Sequence, residues 1–367
     1  MPENSSRRQW LQTTTTLLTG LSIGPSLFAT ERERYRAAGI ILLNSNENAY
    51  GPSAATRKAM TEALVNSNRY PDDQLPELKK QIAEHWGVGR ENILMGAGSS
   101  EILGLTSMLV SSSKGNVIIG EPSYRVWNGQ AETFGLQFNR IPLAIDKTLS
   151  LDNMMSAMDQ DTRMMYVCNP NNPVGTYVDD HLLRIFINEC SKKCMVLVDE
   201  AYTEFANLPS LCDLAIRNPN VIVAKTFSKI YGLAGARVGY AIAHPDTIKK
   251  LSGFQSWPDM SVSMVSCAAA SAALKDQGFV KDCREKTMQA REMCYKAFKE
   301  LGLDYIQSHT SFILFNIEKI GTDFSQKMET KNIYVQYRDH FGGKWCRVSM
   351  GTLEEMKIFC TALKDIA

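Results

Sequence analysis

The feature that most constrains the fold is an alternation between positions 56 and 248. Short apolar, β-branched runs at Asn92 to Met95, Asn116 to Gly120, Met164 to Cys168, Met195 to Val198, Val221 to Ala224 and Val238 to Ala243 are separated by stretches with apolar residues at helical spacing. Strands linked by helix-length crossovers run mostly parallel, and helices must then cover both faces of their sheet. The expected class is therefore α/β, a mostly parallel sheet between helices. Beyond Ser261 the pattern changes: helical stretches at Ser261 to Leu274 and Phe279 to Leu301 precede one strand, Ser311 to Ile317, and a last helix from Leu353. That reads as a smaller α+β domain. The boundaries follow as an arm over 31–65 contributing to the small domain, a large domain over 66–255 and the small domain over 256–367.

The first thirty residues differ from the rest. Ser6-Arg7-Arg8-Gln9-Trp10-Leu11 precedes an uncharged stretch, Gln12 to Ala29, which outlines a twin-arginine export signal over 1–30. Its threonines and the Gly24-Pro25 break make it a poor membrane span, which needs about 20 predominantly apolar residues. The expectation is a leader, an extracytoplasmic or periplasmic location and no stable membrane insertion. Forty basic side chains against thirty-nine acidic ones leave no field that would argue for nucleic acid, so a small molecule is the expected partner. The five histidines are scattered, and the closest cysteines, Cys190 and Cys194, read as a structural pair on a helix; no metal site is expected. Nine cysteines spread over a long chain are not a disulfide framework, and most should be buried thiols.

The strongest chemical signal is Thr226-Phe227-Ser228-Lys229, directly after a buried-looking strand, with Arg237 eight residues further on. A lysine amine whose pKa is lowered by its surroundings attacks a carbonyl carbon, and the resulting imine can anchor pyridoxal 5'-phosphate (PLP). Ser228 and Arg237 can meet the phosphate of that cofactor. Upstream, Gly96-Ala97-Gly98-Ser99-Ser100-Glu101 follows a strand and opens a helix, offering free N–H groups to an anion. It is neither a Walker motif nor a dinucleotide fingerprint, which disfavours ATP and NAD. Asp199 ends an apolar strand, at the edge of a parallel sheet where ligands bind, and could keep a pyridine nitrogen protonated. Asn172, in a proline-flanked turn, and the Tyr202 hydroxyl could both reach the cofactor's phenolic oxygen.

Together these segments resemble the class I/II aminotransferases of fold-type I, in the histidinol-phosphate aminotransferase branch. The resemblance runs from about Leu43 to the C-terminus. It rests on Asn46-Glu47-Asn48-Ala49-Tyr50-Gly51-Pro52, Arg69-Tyr70-Pro71-Asp72, Pro122-Ser123-Tyr124, Asn169-Pro170-Asn171-Asn172-Pro173, Asp199-Glu200-Ala201-Tyr202 and the run from Thr226 to Tyr240. The resemblance implies Lys229 as the Schiff-base lysine, Asp199 as the pyridinium partner and Tyr124 as the aromatic stacked on the ring. It implies Ser99, Ser100, Thr226, Ser228 and Arg237 around the phosphate, with Tyr70 reaching the phosphate of a neighbouring subunit in a homodimer with shared sites. Arg347 matches the arginine for the substrate carboxylate or its equivalent, Arg338 a second substrate arginine, and Asn48 a further substrate contact. Ser99-Ser100 stands where the branch usually carries an acidic residue, and the segment before Leu43 does not match the branch's substrate-facing arm.

The implied activity is PLP-dependent transamination, from an amino acid or a histidinol-phosphate-like amino donor to a 2-oxo acid. A decarboxylase, racemase or carbon–sulfur lyase would use nearly the same residues, because the protein chooses which bond the cofactor breaks. An exported binding protein that kept the fold without turnover is the alternative of another class.

Overall fold

The computed structural model describes residues 38–367; the expected leader and residues 31–37 of the arm lie outside the described residues. From Leu42 to Ala367 the chain is one compact unit. Its centre is a seven-stranded sheet made of β1 (Ile93–Gly96), β2 (Asn116–Glu121), β3 (Gln137–Pro142), β4 (Thr162–Cys168), β5 (Met195–Asp199), β6 (Val221–Thr226) and β7 (Gly239–Ala243), in the order β1-β7-β6-β5-β4-β2-β3. The pairs within β6-β5-β4-β2-β3 are parallel, and β7 runs antiparallel to both β6 and β1. The mostly parallel α/β sheet expected from the alternation is thus the observed one.

Strand periodicity explains the two cores. Met165, Val167, Val196, Val198, Val221 and Val223 face one side and pack with Leu183, Phe186 and Ile187 of the helix Asp180–Cys190. Met164, Tyr166, Leu197, Ile222 and Ala224 alternate with them and face the other side, against Ile102, Leu103 and Leu105 of the helix Ser99–Val110. Each fully buried Val, Leu or Ile side chain contributes about 1.5–3 kcal/mol. Six of the seven strands carry apolar runs on both faces for this reason; β3 is an edge strand, reads Gln-Phe-Asn-Arg-Ile-Pro and is half exposed, so it gives no such run.

The C-terminal part adds the helices Met264–Lys275 and Gln277–Glu300, close to their expected limits, and a four-stranded antiparallel sheet. That sheet consists of β8 (Tyr305–Ile306), β9 (Phe312–Asn316), β10 (Gln336–His340) and β11 (Gly343–Ser349), ordered β10-β11-β9-β8. Only β9 was expected; β10 and β11 carry charged residues on the face turned to the ligand cavity, which hides their period. The nine cysteines are free thiols, eight of them buried, and Cys194 follows the helix that ends at Cys190. Among the described residues no helix is long and apolar enough to cross a membrane, and no cluster of His, Cys, Asp or Glu is placed to hold a metal ion.

Candidate active site

The parallel strands deliver their C-terminal ends to a cavity of about 380 Å³, which the antiparallel sheet closes with Gln336, Arg338, His340 and Arg347. Register explains that wall. Gln336 pairs with Arg347, and Arg338 and His340 follow at two-residue steps, so all four project to one side.

At one end the chain turns from β1 into the helix Ser99–Val110 through Gly98, whose φ of +84° suits glycine. A Cβ there would collide with Arg237 Nη2. Glycine therefore lets the guanidinium lie against the helix start. Arg237 Nη2 donates to Ser100 Oγ at 2.9 Å and Nη1 to Ser228 Oγ at 3.4 Å, while the Thr226 hydroxyl accepts from Ser228 N–H at 3.1 Å. One cation, three hydroxyls and the free amides of a helix start form a cradle for a dianion.

Lys229 enters the middle of the cavity. Its Nζ donates to the Asn46 carbonyl at 3.2 Å and lies 5.8 Å from the centre of the Tyr202 ring. Burial, then the Arg347 charge, brings the amine down to about 8, against the opposing pull of Glu47 and Asp199. A lysine in that state is about one-tenth neutral at pH 7, far more than an ordinary lysine, and is a competent nucleophile. Asp199, at the end of β5, is 4% exposed. Burial pushes its carboxyl up to about 6, although the Tyr166 hydroxyl donates to Oδ2 at 3.0 Å and the Ala201 N–H to Oδ1 at 3.2 Å. Tyr166 is itself held by stacking on Trp127, with centroids 4.2 Å apart.

The other end is a polar chain. Asn46 Nδ2 and Asn172 Nδ2 donate to the Tyr202 oxygen at 3.2 and 3.4 Å, and Arg347 Nη1 donates to Asn172 Oδ1 at 2.8 Å. Burial pushes the Tyr202 hydroxyl well above its ordinary range, so it stays a neutral donor. Arg347 Nη2 donates to the Asn44 carbonyl at 3.3 Å. Tyr124 lines the same space, and burial followed by the Asp199 charge raises its phenol.

Ser99, Ser100, Tyr124, Asn172, Asp199, Tyr202, Thr226, Ser228, Lys229, Arg237, Arg338 and Arg347 thus share one cavity. Two expected residues do not. Asn48 is spent on the fold: its Nδ2 donates to the Ile230 carbonyl at 2.7 Å, and its Oδ1 accepts from Tyr50 N–H at 2.9 Å. Its neighbours Asn46 and Glu47 line the cavity instead. Tyr70 is exposed and lies outside the cavity of its own chain, with its ring 5.0 Å from that of Trp257. Sequence reasoning missed Asn46, Tyr166, Arg125 and His340. The signal for Tyr166 was available, a hydroxyl in an otherwise apolar buried strand beside the strand that carries Asp199.

This donor set fits PLP: a weakened amine for an aldehyde, a buried acid for a ring nitrogen, amide and phenol donors for a phenolate, and a cradle for a phosphate. Residues 38–363 match the model of the aminotransferase class I and II family. The chain belongs to this family. It is similar to histidinol-phosphate aminotransferase of a Geobacillus species, 34% identical with 94% of each chain covered. The enzyme of the same name from Caldicellulosiruptor saccharolyticus is 36% identical, with 89% of this chain and 92% of that one covered. Among solved structures, histidinol-phosphate aminotransferase from Sinorhizobium meliloti in complex with pyridoxal-5'-phosphate aligns with a TM-score of 0.84 at 26% identity, covering 92% of this chain and 94% of that one. The protein is a PLP-dependent aminotransferase of fold-type I, which places transamination ahead of the lyase, decarboxylase and non-catalytic readings.

Proposed function

We propose that this aminotransferase takes its amino group from a small donor with a distal phosphate, of the L-histidinol phosphate class, and passes it to a 2-oxo acid. The observation that carries this reading is the surplus of cations away from the cradle. Arg125, Arg338 and Arg347 all line the cavity where a single carboxylate would need one arginine. The names of the relatives, at 34% and 36% identity over most of the chain, support it. When bound, PLP supplies an electron sink for the bond broken at the donor carbon. Lys229 Nζ would anchor the cofactor and, as a free amine, would move the proton at that carbon. Asp199 would hold the proton on the ring nitrogen, and Tyr202 with Asn172 would hold the phenolic oxygen.

The test is a donor screen with 2-oxoglutarate, both products being quantified. L-Histidinol phosphate should exceed L-histidinol in kcat/KM by about tenfold or more, the scale of one hydrogen bond to a charged group. Equal values for the two donors would overturn the reading.

We also propose the homodimer and the export route. Tyr70 is exposed beside Trp257 and outside the cavity of its own chain, which supports a role at the site of a second copy. Mixing inactive Tyr70→Phe and Lys229→Ala chains should regenerate activity in hybrids, since each hybrid holds one intact site; no recovery would count against shared sites. For export, Arg7→Lys with Arg8→Lys should empty the extracytoplasmic fraction of the protein. Wild-type protein found wholly in the cytoplasm with residues 1–30 attached would refute it.

A further inference from the structure

The cradle is built on an exposed edge. β1 ends the seven-stranded sheet and pairs only with β7, so its outer backbone groups lack a strand partner. At Met95 both are met by side chains from a distant segment. Asp259 Oδ1 accepts the Met95 N–H at 2.7 Å, and Gln255 Nε2 donates to the Met95 carbonyl at 3.0 Å. The two side chains imitate one rung of a neighbouring strand. They are also tied to each other, since the Asp259 N–H donates to Gln255 Oε1 at 2.8 Å. Asp259 adopts a left-handed φ of +64°, and Lys79 Nζ holds its Oδ2 at 2.8 Å.

The same Gln255 amide donates to Glu101 Oε1 at 2.8 Å, and Glu101 Oε2 accepts the Ala97 N–H. Glu101 lies in the first turn of the helix whose N-terminus forms the cradle. A carboxylate there competes with an incoming phosphate for the same positive helix end, and repels it if it swings inward. Gln255 draws it aside. Residues 95 and 97, either side of Gly96, are thereby fixed directly before Gly98, Ser99 and Ser100. Neither Gln255, Asp259 nor Glu101 lines the cavity.

We infer that Gln255 and Asp259 are positioning residues for cofactor phosphate: through Met95 and Glu101 they hold the 98–100 turn with its amides open and the Glu101 carboxylate turned away. The inference rests on reading that turn as the phosphate cradle. Trp257 belongs to the same segment and packs on Tyr70, so the strap that props the cradle also carries the contact beside the surface proposed to meet a second subunit.

The experiment compares the affinity of apoenzyme for PLP and for pyridoxal, which keeps the aldehyde and lacks the phosphate, by absorbance titration. In Gln255→Leu the preference for PLP over pyridoxal should fall about tenfold, the worth of one to two buried hydrogen bonds, with pyridoxal affinity unchanged. Adding Glu101→Gln to that variant should restore part of the preference, because the repelling charge is gone. Asp259→Asn keeps an acceptor for Met95 while releasing Lys79; it should lower the preference less and serves as the second variant if Gln255→Leu fails to fold. A preference unchanged in both variants, or PLP and pyridoxal weakened equally, would overturn the inference and leave the strap a merely structural brace. Wild-type apoenzyme with no preference for PLP would overturn the cradle reading itself.

Discussion

Tyr166 and Asp199 stand on adjacent parallel strands, and the Tyr166 hydroxyl donates to Asp199 Oδ2 at 3.0 Å inside the sheet. That bond lowers the pKa of a carboxyl that burial raises, and burial wins, leaving it at about 6 against an ordinary value of 3.8. The acid needed for chemistry is therefore a burden on the fold.

A raised carboxyl means that the folded state binds more protons than the unfolded state between pH 3.8 and about 6, so this group's contribution to stability falls as pH rises through that window. A rise of about two pKa units corresponds to about 3 kcal/mol at neutral pH. Asp199→Asn keeps an acceptor for the Ala201 N–H, can donate to the Tyr166 oxygen and has no charge to bury. The apo variant should be more stable than wild type at neutral pH, by up to that amount, with the gain vanishing near pH 4, while turnover is lost. Denaturant unfolding of both apo proteins at the two pH values is the measurement; a gain independent of pH would remove ionisation as its cause.

Lys229 gives a kinetic counterpart. Its amine is held at about 8, with Arg347 the second cause after burial. The rate at which apoenzyme captures PLP, followed by stopped-flow absorbance, should rise with pH through a midpoint of about 8 as the amine loses its proton. In Arg347→Gln the midpoint should move to higher pH. Lys229→Ala should give no visible cofactor band and no turnover; transamination at the wild-type rate would refute its assignment.

Gly98→Ala tests the cradle from the other side. The new Cβ would collide with Arg237 Nη2, on a backbone with φ +84°. Arg237 must withdraw, and the bond to Ser100 is lost with it. PLP affinity should fall at least about tenfold, while pyridoxal, having no phosphate, should bind as before.

Behind the sheet, Lys225 is buried with Nζ 2.8 Å from Glu200 Oε2, 3.2 Å from Glu204 Oε1 and 4.2 Å from the centre of the Trp86 ring. Lys225→Ala leaves the Glu200 carboxyl, 2% exposed, without its cation, and should destabilise the protein by about 3–5 kcal/mol in thermal or denaturant unfolding. Lys225→Arg keeps the charge and should lose far less. Equal losses would mean that volume, not charge, matters at this position.

Much of this was legible in the chain. The runs around Val196, Val223 and Met165 announce strands because burial on both faces leaves no polar position to disguise them. Lys229 and Asp199 were legible because each sits at the end of such a strand or just past it, and Arg237 because it stands at a fixed spacing from Lys229, just before the next strand. β3 and β10 were not, because Arg140, Arg338 and Asp339 replace the apolar residues that reveal a strand. Asn48 misled because a run of neighbouring polar residues, Asn44 to Asn48, does not say which side chain the turn aims inward.

What the sequence by itself determined is the parallel sheet, the order of its loops and the chemical type of each group those loops carry, since all three depend on contacts and periodicities within a few residues. The tertiary structure alone decided how those groups behave. Asn46 bonds to Ser349 across 303 residues and Arg347 to Asn172 across 175, and such closures form only when the two sheets meet. The protonation states of Lys229 and Asp199 follow from that closure, because the largest cause in each is the removal of water, which no local pattern of residues records.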